Sequence, residues 1–428
     1  MKRAPMRRKH VVAQTVSLFA VAAALAGCTV DGNAVNDSDP AANAVVDVKS
    51  LDTGKYPTEP RKPFGEATGD EVVTYDAQRM AQYIVAPFEI DADLTNMGLP
   101  MQVLYSTTNV RAVVGDDVAN VKANDAILYG YVVSASTPDE TIRAGTKREL
   151  NNFVTRYITP ADATAAANQM ADAYLKRPKA TTVRVDGMSG SRVISVPGNT
   201  NGTTALVSIT AHNTYVLFTY YQTTDAQKDQ LQPAIKKAVD LQTALIDQFP
   251  ATPTKAEREA RNQPKKQLIM DQNHILIYAL PYTDQEIKDA KVKTPNPGNV
   301  RAVYGPRSMS FFSSDPPADF RLLNEVGSTA NAMDRATVYR AKTPEGAKKI
   351  MDTFENSNRA RGMKPVPAPP NLPAARCLSE VTQNVTGYWC EVSYGRYVAE
   401  LVGTDPKDVY QQTSAQYVIF TKADQKAN

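Results

Sequence analysis

Histidine, cysteine and tryptophan are scarce in this chain, whose 428 residues include three His, three Cys and one Trp. Zinc and related metal sites need several histidine, cysteine or carboxylate side chains close together. His10 lies near the start of the chain, and neither His212 nor His274 has such neighbours in the sequence. We therefore expect no metal site and no cofactor, and we interpret His212 and His274 as ordinary structural residues.

The motifs of several common enzyme classes are also missing. Gly187–Ser191 is similar to a nucleophile elbow, but that motif needs a glycine where this chain has Ser191. A phosphate-binding loop and a dinucleotide fingerprint are absent as well. Because a sequence does not show whether two carboxylates converge, a carboxylate-based hydrolase stays an open alternative.

Positive charge is concentrated in the first nine residues. The formal net charge is +3, and five of the basic residues are Lys2, Arg3, Arg7, Arg8 and Lys9. Without these five the net charge is slightly negative, so the remaining chain lacks the basic surface typical of nucleic-acid binding. We expect no nucleic-acid partner.

A short apolar run, Val11–Leu25, follows the basic residues. As a helix it would span roughly 22 Å, less than the ~30 Å hydrocarbon core of a bilayer. A basic start, a short apolar centre and small residues at the end are typical of a signal peptide. Leu25-Ala26-Gly27-Cys28 resembles the lipobox of bacterial lipoproteins. The resemblance implies cleavage between Gly27 and Cys28 and a diacylglycerol on the Cys28 sulfur.

We therefore expect a signal peptide at residues 1–27 and an exported protein that is lipid-anchored to the outer face of the cell membrane. Residues 28–63 are rich in Asp, Asn, Ala, Pro and Gly, so we expect a flexible tether there. The alternative for the start of the chain is a signal of another kind, with a cysteine at position 28 by accident.

The other two cysteines, Cys377 and Cys390, flank a turn-like stretch, Asn384–Gly387. Two strands folded about that turn would bring the cysteines opposite each other, in a compartment that permits disulfides. We predict a structural disulfide. A redox pair is the alternative, but the Cys-x-x-Cys spacing typical of such pairs is absent.

Internal repetition is the clearest organisational signal. Asn109–Gly115 recurs as Asn299–Gly305 with a single difference. Other matching pairs follow the same order along the chain: Ala86–Phe88 with Leu280–Tyr282, Thr159-Pro160 with Thr343-Pro344, Tyr215-Val216 with Tyr397-Val398, and Thr224-Asp225 with Thr404-Asp405. Such a series indicates a duplicated domain.

The predicted organisation is a first domain at 64–249, a linker at 250–266 and a second domain at 267–424. Alternating stretches predict antiparallel strands at 192–196, 204–211, 214–222, 388–394 and 397–402. The Thr-Pro pairs and Asp225 predict helix starts. We expect the α+β class, with each antiparallel sheet covered by amphipathic helices.

The lipobox and the duplication together resemble a family of uncharacterised two-domain lipoproteins from actinobacteria. The resemblance implies location in the cell envelope and no established activity. Cys28 is the only position to which it assigns a role.

Arg111 and Arg301 occupy the same position of the repeated heptapeptide, on expected strands. A guanidinium there is a candidate for binding an anionic lipid or a sugar acid. The alternatives are a structural ion pair or the outward face of a strand. The aromatic residues Tyr388, Trp389, Tyr394 and Tyr397 could stack on a ligand, although strand alternation divides them between two faces.

These observations favour a non-catalytic binding or interaction protein. Its expected partners are the membrane, through the lipid anchor, and an envelope protein, lipid or glycan. The alternatives are a carrier of an apolar or amphipathic envelope ligand and the carboxylate-based hydrolase.

The lipid anchor can be tested with Cys28→Ala. Without the thiol that accepts the lipid, the protein should leave the membrane fraction and lose the mass of a diacylglycerol. Membrane fractionation and intact mass spectrometry in an actinobacterial host measure both. A Cys28→Ala protein with unchanged mass and membrane association would contradict the prediction.

Overall fold

Two seven-stranded antiparallel sheets, each packed against helices, form the framework of the described residues. The computed structural model describes residues 46–139, 141, 145, 147–264, 268–289 and 297–427. The predicted α+β class with two antiparallel domains is confirmed. Among the helices described in these ranges, none is long and apolar enough to cross a membrane.

The first sheet contains β1 Asn96–Leu104, β2 Ile127–Ser136, β3 Glu149–Tyr157, β4 Thr181–Val183, β5 Ser191–Pro197, β6 Thr203–His212 and β7 Tyr215–Thr224. Its strand order is β1-β2-β3-β7-β6-β5-β4. The predicted meander corresponds to β5, β6 and β7.

The second sheet contains β8 Ala302–Tyr304, β9 Asn331–Met333, β10 Thr337–Arg340, β11 Lys364–Val366, β12 Arg376–Thr382, β13 Val385–Tyr394 and β14 Tyr397–Gly403. Its order is β8-β9-β10-β14-β13-β12-β11. Each strand of the first sheet thus has a counterpart at the same place in the second, from β1 and β8 to β7 and β14. The topology confirms the duplication.

The α-helices of the first half are α1 Asp70–Met80, α2 Pro87–Ile90, α3 Thr107–Val114, α4 Asp116–Ala119, α5 Pro160–Leu175, α6 Leu231–Ile246 and α7 Lys255–Ala260. Those of the second half are α8 Asp284–Lys288, α9 Pro306–Ser310, α10 Pro316–Glu325, α11 Pro344–Ala360 and α12 Pro406–Thr421. Short 3-10 helices lie at Val48–Ser50, Ala81–Tyr83, Lys122–Ala126, Asp225–Gln230, Leu276–Tyr278 and Pro297–Asn299.

The Thr-Pro pairs start equivalent helices, as predicted. Thr159 caps α5 by accepting a hydrogen bond from the Asp162 N–H, and Thr343 caps α11 by accepting one from the Gly346 N–H. In each helix proline occupies the first turn, where no N–H partner is needed. The prediction of Asp225 as a helix cap is wrong, because a 3-10 helix precedes α6 and Asp225 accepts from the Thr204 hydroxyl instead.

A buried glutamine makes the same pair of hydrogen bonds in each domain. Gln242 on α6 donates to the Tyr83 carbonyl at 2.7 Å and accepts from the Val85 N–H at 3.0 Å. Gln416 on α12 donates to the Tyr278 carbonyl at 2.8 Å, and its Oε1 accepts from the Leu280 N–H at 2.7 Å. Each glutamine therefore satisfies backbone groups of the segment that leads into its domain. We call Gln242 and Gln416 the glutamine clamps.

The repeated heptapeptide adopts different structures in the two copies. Asn109–Gly115 lies mostly in helix α3, whereas Asn299–Gly305 forms strand β8 after a residue, Arg301, with a φ of 52°. The prediction that both arginines lie on strands is therefore wrong, because Arg301 immediately precedes β8 and Arg111 lies in helix α3. Its neighbours Ser106 and Gly115 flank a helical turn, and the strand topologically equivalent to β8 is β1, which ends before the heptapeptide.

Residues 46–63 pack on the second domain, so the expectation of a flexible tether is wrong for this part of 28–63. Leu51 and Tyr56 are buried in the hydrophobic cluster beneath α12. The Tyr56 hydroxyl donates to Asp408 at 2.6 Å, and the Arg61 guanidinium pairs with Asp334 at 3.0 Å. Composition alone missed these anchors because they are isolated apolar and charged residues in a polar segment.

One hydrophobic cluster extends through both domains. Helix α1 packs against β2 of the first sheet and β8 of the second. Gln78 on α1 donates to the Gly298 carbonyl at 2.7 Å, while Asn299 donates to the Met101 carbonyl at 3.0 Å and accepts from Tyr131 at 3.3 Å. The two copies therefore share a core.

Replacing either clamp glutamine should destabilise the fold. Gln416→Leu and Gln242→Leu each leave a buried carbonyl and a buried N–H without partners, at a cost of about 1–3 kcal/mol per group. Urea unfolding followed by circular dichroism measures the change. Gln248→Leu, at an exposed position of the same chain, is the matched control. Equal stabilities for all three variants would refute the role of the clamps.

Candidate functional site

Arg111 and Arg301 are not brought together, and each has carboxylate partners. Arg111, on the exposed side of α3, pairs with Asp116 at 2.5 Å. Arg301 pairs with Asp284 at 2.7 Å and donates to the Tyr282 carbonyl at 3.0 Å. These contacts fit the alternative interpretation, structural ion pairs.

The arginines that are equivalent by topology are Arg156 and Arg340. Arg156 on β3 pairs across the sheet with Tyr215, and Arg340 on β10 pairs with Tyr397. Both side chains are buried. Arg156 donates to both carboxylate oxygens of Glu257 at 2.9 and 2.7 Å. The spacing Arg-x-x-Thr-Pro, present in both copies, was the signal that would have identified them.

The disulfide between Cys377 and Cys390 is present, with the two residues opposite each other on β12 and β13. The connecting turn consists of Gln383 and Asn384, both at positive φ, so the predicted turn at Asn384–Gly387 is displaced. Cys28 lies outside the described residues.

Histidine and the aromatic cluster contribute little to a site. His212 contacts Asp247 at 2.6 Å at the end of β6, and no three His, Cys, Asp or Glu side chains within the described ranges are placed to hold a metal ion. Tyr397 is in the core, Trp389 lies on the opposite face of the sheet, and Tyr394 stacks edge-on against Tyr417. Tyr388 shares the face of Tyr394 and Tyr397, so Trp389 is separated from the other three and the four residues form no shared platform.

A polar cleft of about 730 Å³ opens between α4 and α5 of the first domain. Its lining includes Asp117, Asn120, Gln169, Asp172, Lys176 and Arg177. Arg177 is held by Asp117, with Nε and Nη2 each 2.7 Å from a carboxylate oxygen, and lies over the Tyr174 ring. Arg111 donates to Asn120 at the edge of this cleft at 3.3 Å.

Two glutamates lie side by side beneath helix α11 in the second domain. Arg376, Glu391, Glu400 and Thr337 are successive cross-strand partners on β12, β13, β14 and β10, so their side chains share one sheet face. We call these four residues the carboxyl row. Glu391 is fully buried and neither of its carboxyl oxygens has a hydrogen-bond partner. Glu400 accepts from Tyr339 and from the Trp389 indole.

In the first domain, apolar side chains occupy the positions equivalent to Thr337, Glu400 and Glu391. Counted from the paired Arg156 and Tyr215, the equivalents of Thr337, Glu400 and Glu391 are Phe153, Phe218 and Ile209. These three are buried, and the two phenylalanine rings stack at 4.4 Å.

The ion pair of the arginine at the β12 end of the carboxyl row has a counterpart in the first domain. Arg192 pairs with Asp172 on α5 at 2.8 Å, and Arg376 pairs with Asp352 on α11 at 2.8 Å. The duplicated frame is therefore conserved around the row, while the apolar layer inside it has been replaced by carboxyls.

Burial dominates the electrostatics of this region. It raises the pKa of Glu391 well above its usual range, and the neighbouring Glu400 carboxyl raises it further. Burial also raises the pKa of Glu400, although the hydrogen bonds from Tyr339 and Trp389 oppose the shift. On α10, burial raises the pKa of Asp319 to about 7, with a further increase from Glu400.

Sequence reasoning missed the carboxyl row because strand β13 has only one buried polar position. The signal was present, since Glu391 alternates with Trp389 on one face while Cys390 and Val392 occupy the other. A glutamate on the same face as a buried tryptophan is unusual in a sheet covered on both sides.

The family models described as the N-terminal and C-terminal parts of domain of unknown function DUF7373 match residues 64–261 and 282–423. No curated protein matches the chain. Among solved structures, the extracellular domain of PknH from Mycobacterium tuberculosis is similar at 14% identity and a TM-score of 0.27, covering 42% of this chain and 97% of its own. That score supports no argument about fold or function. The matches to both family models confirm the expectation of an uncharacterised family with two domains.

The pKa of Asp319 predicts a specific pH dependence of stability. An unfolded aspartate titrates near 3.8 and the folded Asp319 at about 7, so its neutral form favours folding and that contribution is lost as the pH rises between these values. Asp319→Asn removes this loss. Its melting temperature should match that of the wild type at pH 4 and exceed it at pH 7.5, as measured by calorimetry.

Asp240→Asn, at an exposed helical position, is the control and should show no such trend. A constant difference between Asp319→Asn and wild type across this pH range would contradict the assignment.

Proposed function

We propose that this chain, which belongs to the DUF7373 family, is a non-catalytic binding protein of the bacterial cell envelope. Lipid on Cys28 would anchor it to the outer face of the membrane. The observation that supports a binding role most directly is the polar cleft of the first domain, where amide, carboxylate and cationic side chains converge on an open space.

The cleft suits a polar ligand such as an envelope glycan. Asn120, Gln169 and Asp172 present oxygen and nitrogen atoms, and Lys176 adds an exposed ammonium group. Arg177 is fixed by Asp117 and by the ring of Tyr174, so this wall of the cleft is rigid before any ligand arrives. Prior rigidity lowers the entropic cost of binding.

The docked segment 46–63 supports a short connection to the membrane. Val46 already packs on the second domain, and a fully extended chain from Cys28 to Val46 spans roughly 60 Å. A lipid on Cys28 would therefore keep the binding domains close to the bilayer surface.

Of the two alternatives, the hydrolase has one specific observation in its favour. Glu391, Glu400 and Asp319 are carboxyls with raised pKa values, which are common at catalytic sites. Glu391 and Glu400 are neighbours on one face of the sheet, however, and Asp319 lies on helix α10; none of the three lines the polar cleft of the first domain. The carrier needs an enlarged apolar cavity, whereas most of the side chains that line the cleft of the first domain are polar.

The glycan proposal can be tested on the purified lipidated chain in detergent. The probe is the soluble oligosaccharide mixture that muramidase releases from the host cell wall, and native mass spectrometry measures retained mass. We expect Asn120→Ala combined with Lys176→Ala to weaken binding about tenfold, since each lost polar contact contributes roughly 0.5–1.5 kcal/mol. The control is Lys426→Ala. Absence of retained oligosaccharide on the wild-type chain would refute the proposal.

A further inference from the structure

Where helix α11 ends, the sheet beneath it opens to solvent with an excess of acidic side chains. Arg361 is the C-cap of α11. Burial lowers the pKa of its guanidinium, and the negative charges of four carboxyls oppose that shift. We call this set the acidic face, and it comprises Arg361 with Asp315, Asp319, Glu380 and Glu400. In the described part of the chain the Arg361 guanidinium donates to the Asn358 side chain and forms no ion pair within 4.0 Å.

The carboxyl row extends this face into the core. Glu391 is buried directly opposite Glu400 and has no hydrogen-bond partner for either oxygen. Burying an unpaired carboxyl is less favourable than burying an apolar side chain of similar size. Because the first domain fills the same position with Ile209, the fold itself does not require a carboxyl there.

Apolar side chains lie beside the acidic face. Val402 is 56% exposed, two residues from Glu400 on the same side of β14, and Val385 is 54% exposed on the same side of β13. Trp389 pairs with Val402 across the strands and donates to Glu400 at 2.8 Å. The surface thus combines exposed apolar positions with carboxyl oxygens.

We propose that the acidic face, with Val385 and Val402, is a docking site for a lysine- or arginine-bearing segment of a partner protein. Charge complementarity identifies the occupant, since strand register places Glu380, Glu391 and Glu400 on one face of the sheet and neither carboxyl oxygen of Glu391 has a hydrogen-bond partner. A metal ion does not fit, because no three potential ligands in the described ranges are placed to hold one. The exposed valines favour a peptide over a free amine.

The expected contacts follow from the positions of these groups. A lysine or arginine head group binds Glu400 and Asp319, where a charge-assisted hydrogen bond is stronger than a neutral one. Apolar side chains of the segment cover Val402 and Val385. Asp319 gives up its proton as the cation binds, so association releases protons near neutral pH.

This inference rests on the proposed binding role but concerns a different surface from the polar cleft of the first domain. The probe is a fluorescein-labelled hexapeptide of alternating valine and lysine, titrated against the full lipidated chain in detergent. Fluorescence anisotropy measures affinity, and calorimetry in phosphate and in Tris at pH 7 measures proton release. We expect Glu400→Gln and Asp319→Asn each to weaken binding at least tenfold.

Substitutions at half-buried Glu380 and exposed Val402 keep the test valid if Glu400→Gln does not fold. Glu380→Gln and Val402→Thr should each weaken binding about threefold, whereas Asp240→Asn should leave it unchanged. The cleft variant with Asn120→Ala and Lys176→Ala should also bind the peptide normally, which separates this inference from the glycan proposal.

Three outcomes would overturn the inference. The first is binding of the valine–lysine peptide no tighter than binding of a valine–glutamate peptide. The second is spermidine binding of equal affinity with no effect of Val402→Thr, which would make the ligand a free amine. The third is peptide binding that survives both Glu400→Gln and Glu380→Gln.

Discussion

Burial of Glu391 against Glu400 is the constraint around which the second domain is arranged. Two adjacent carboxyls beneath a helix repel each other when ionised, and the protein fold must either keep protons on them or supply positive charge. Arg376 at one end of the row is already held by Asp352, and the charge of Glu400 acts, together with three other carboxyls, on the single guanidinium of Arg361. The positive charge that would balance the row is therefore only partly present in the chain.

Comparison of the two copies supports the proposal that this feature serves binding. Both domains keep the strand order, the Thr-Pro helix starts, the glutamine clamps and a buried arginine opposite a tyrosine. At the positions of the carboxyl row, however, the two copies differ. The first domain has a stacked pair of phenylalanines and an isoleucine where the second has a threonine and two glutamates. Marginally stable proteins retain such substitutions where binding or catalysis benefits from them.

The sequence predicted those elements whose signals are local. The Thr-Pro caps, the meander strands and the disulfide follow from turn residues, alternation and spacing, and all are present. The repeated heptapeptide misled the assignment of Arg111, because seven residues with valine and alanine fit either a helix or an edge strand, and tertiary packing decides between them. The docking of residues 46–63 depends on partners hundreds of residues away, such as Asp334 and Asp408, which a local pattern does not reveal. The carboxyl row likewise depends on the pairing of four strands, so only the structure brings it together.

The most direct test of this account is the free energy of unfolding of Glu391→Ile, which places the first domain's residue at the equivalent position. If the carboxyl is present for binding at the expense of stability, urea unfolding at pH 7 should show a gain of about 1–3 kcal/mol, since a buried polar group without partners is removed. The same variant should bind the valine–lysine peptide more weakly than the wild type. A loss of stability together with unchanged peptide binding would show that Glu391 serves the fold, and would contradict the account.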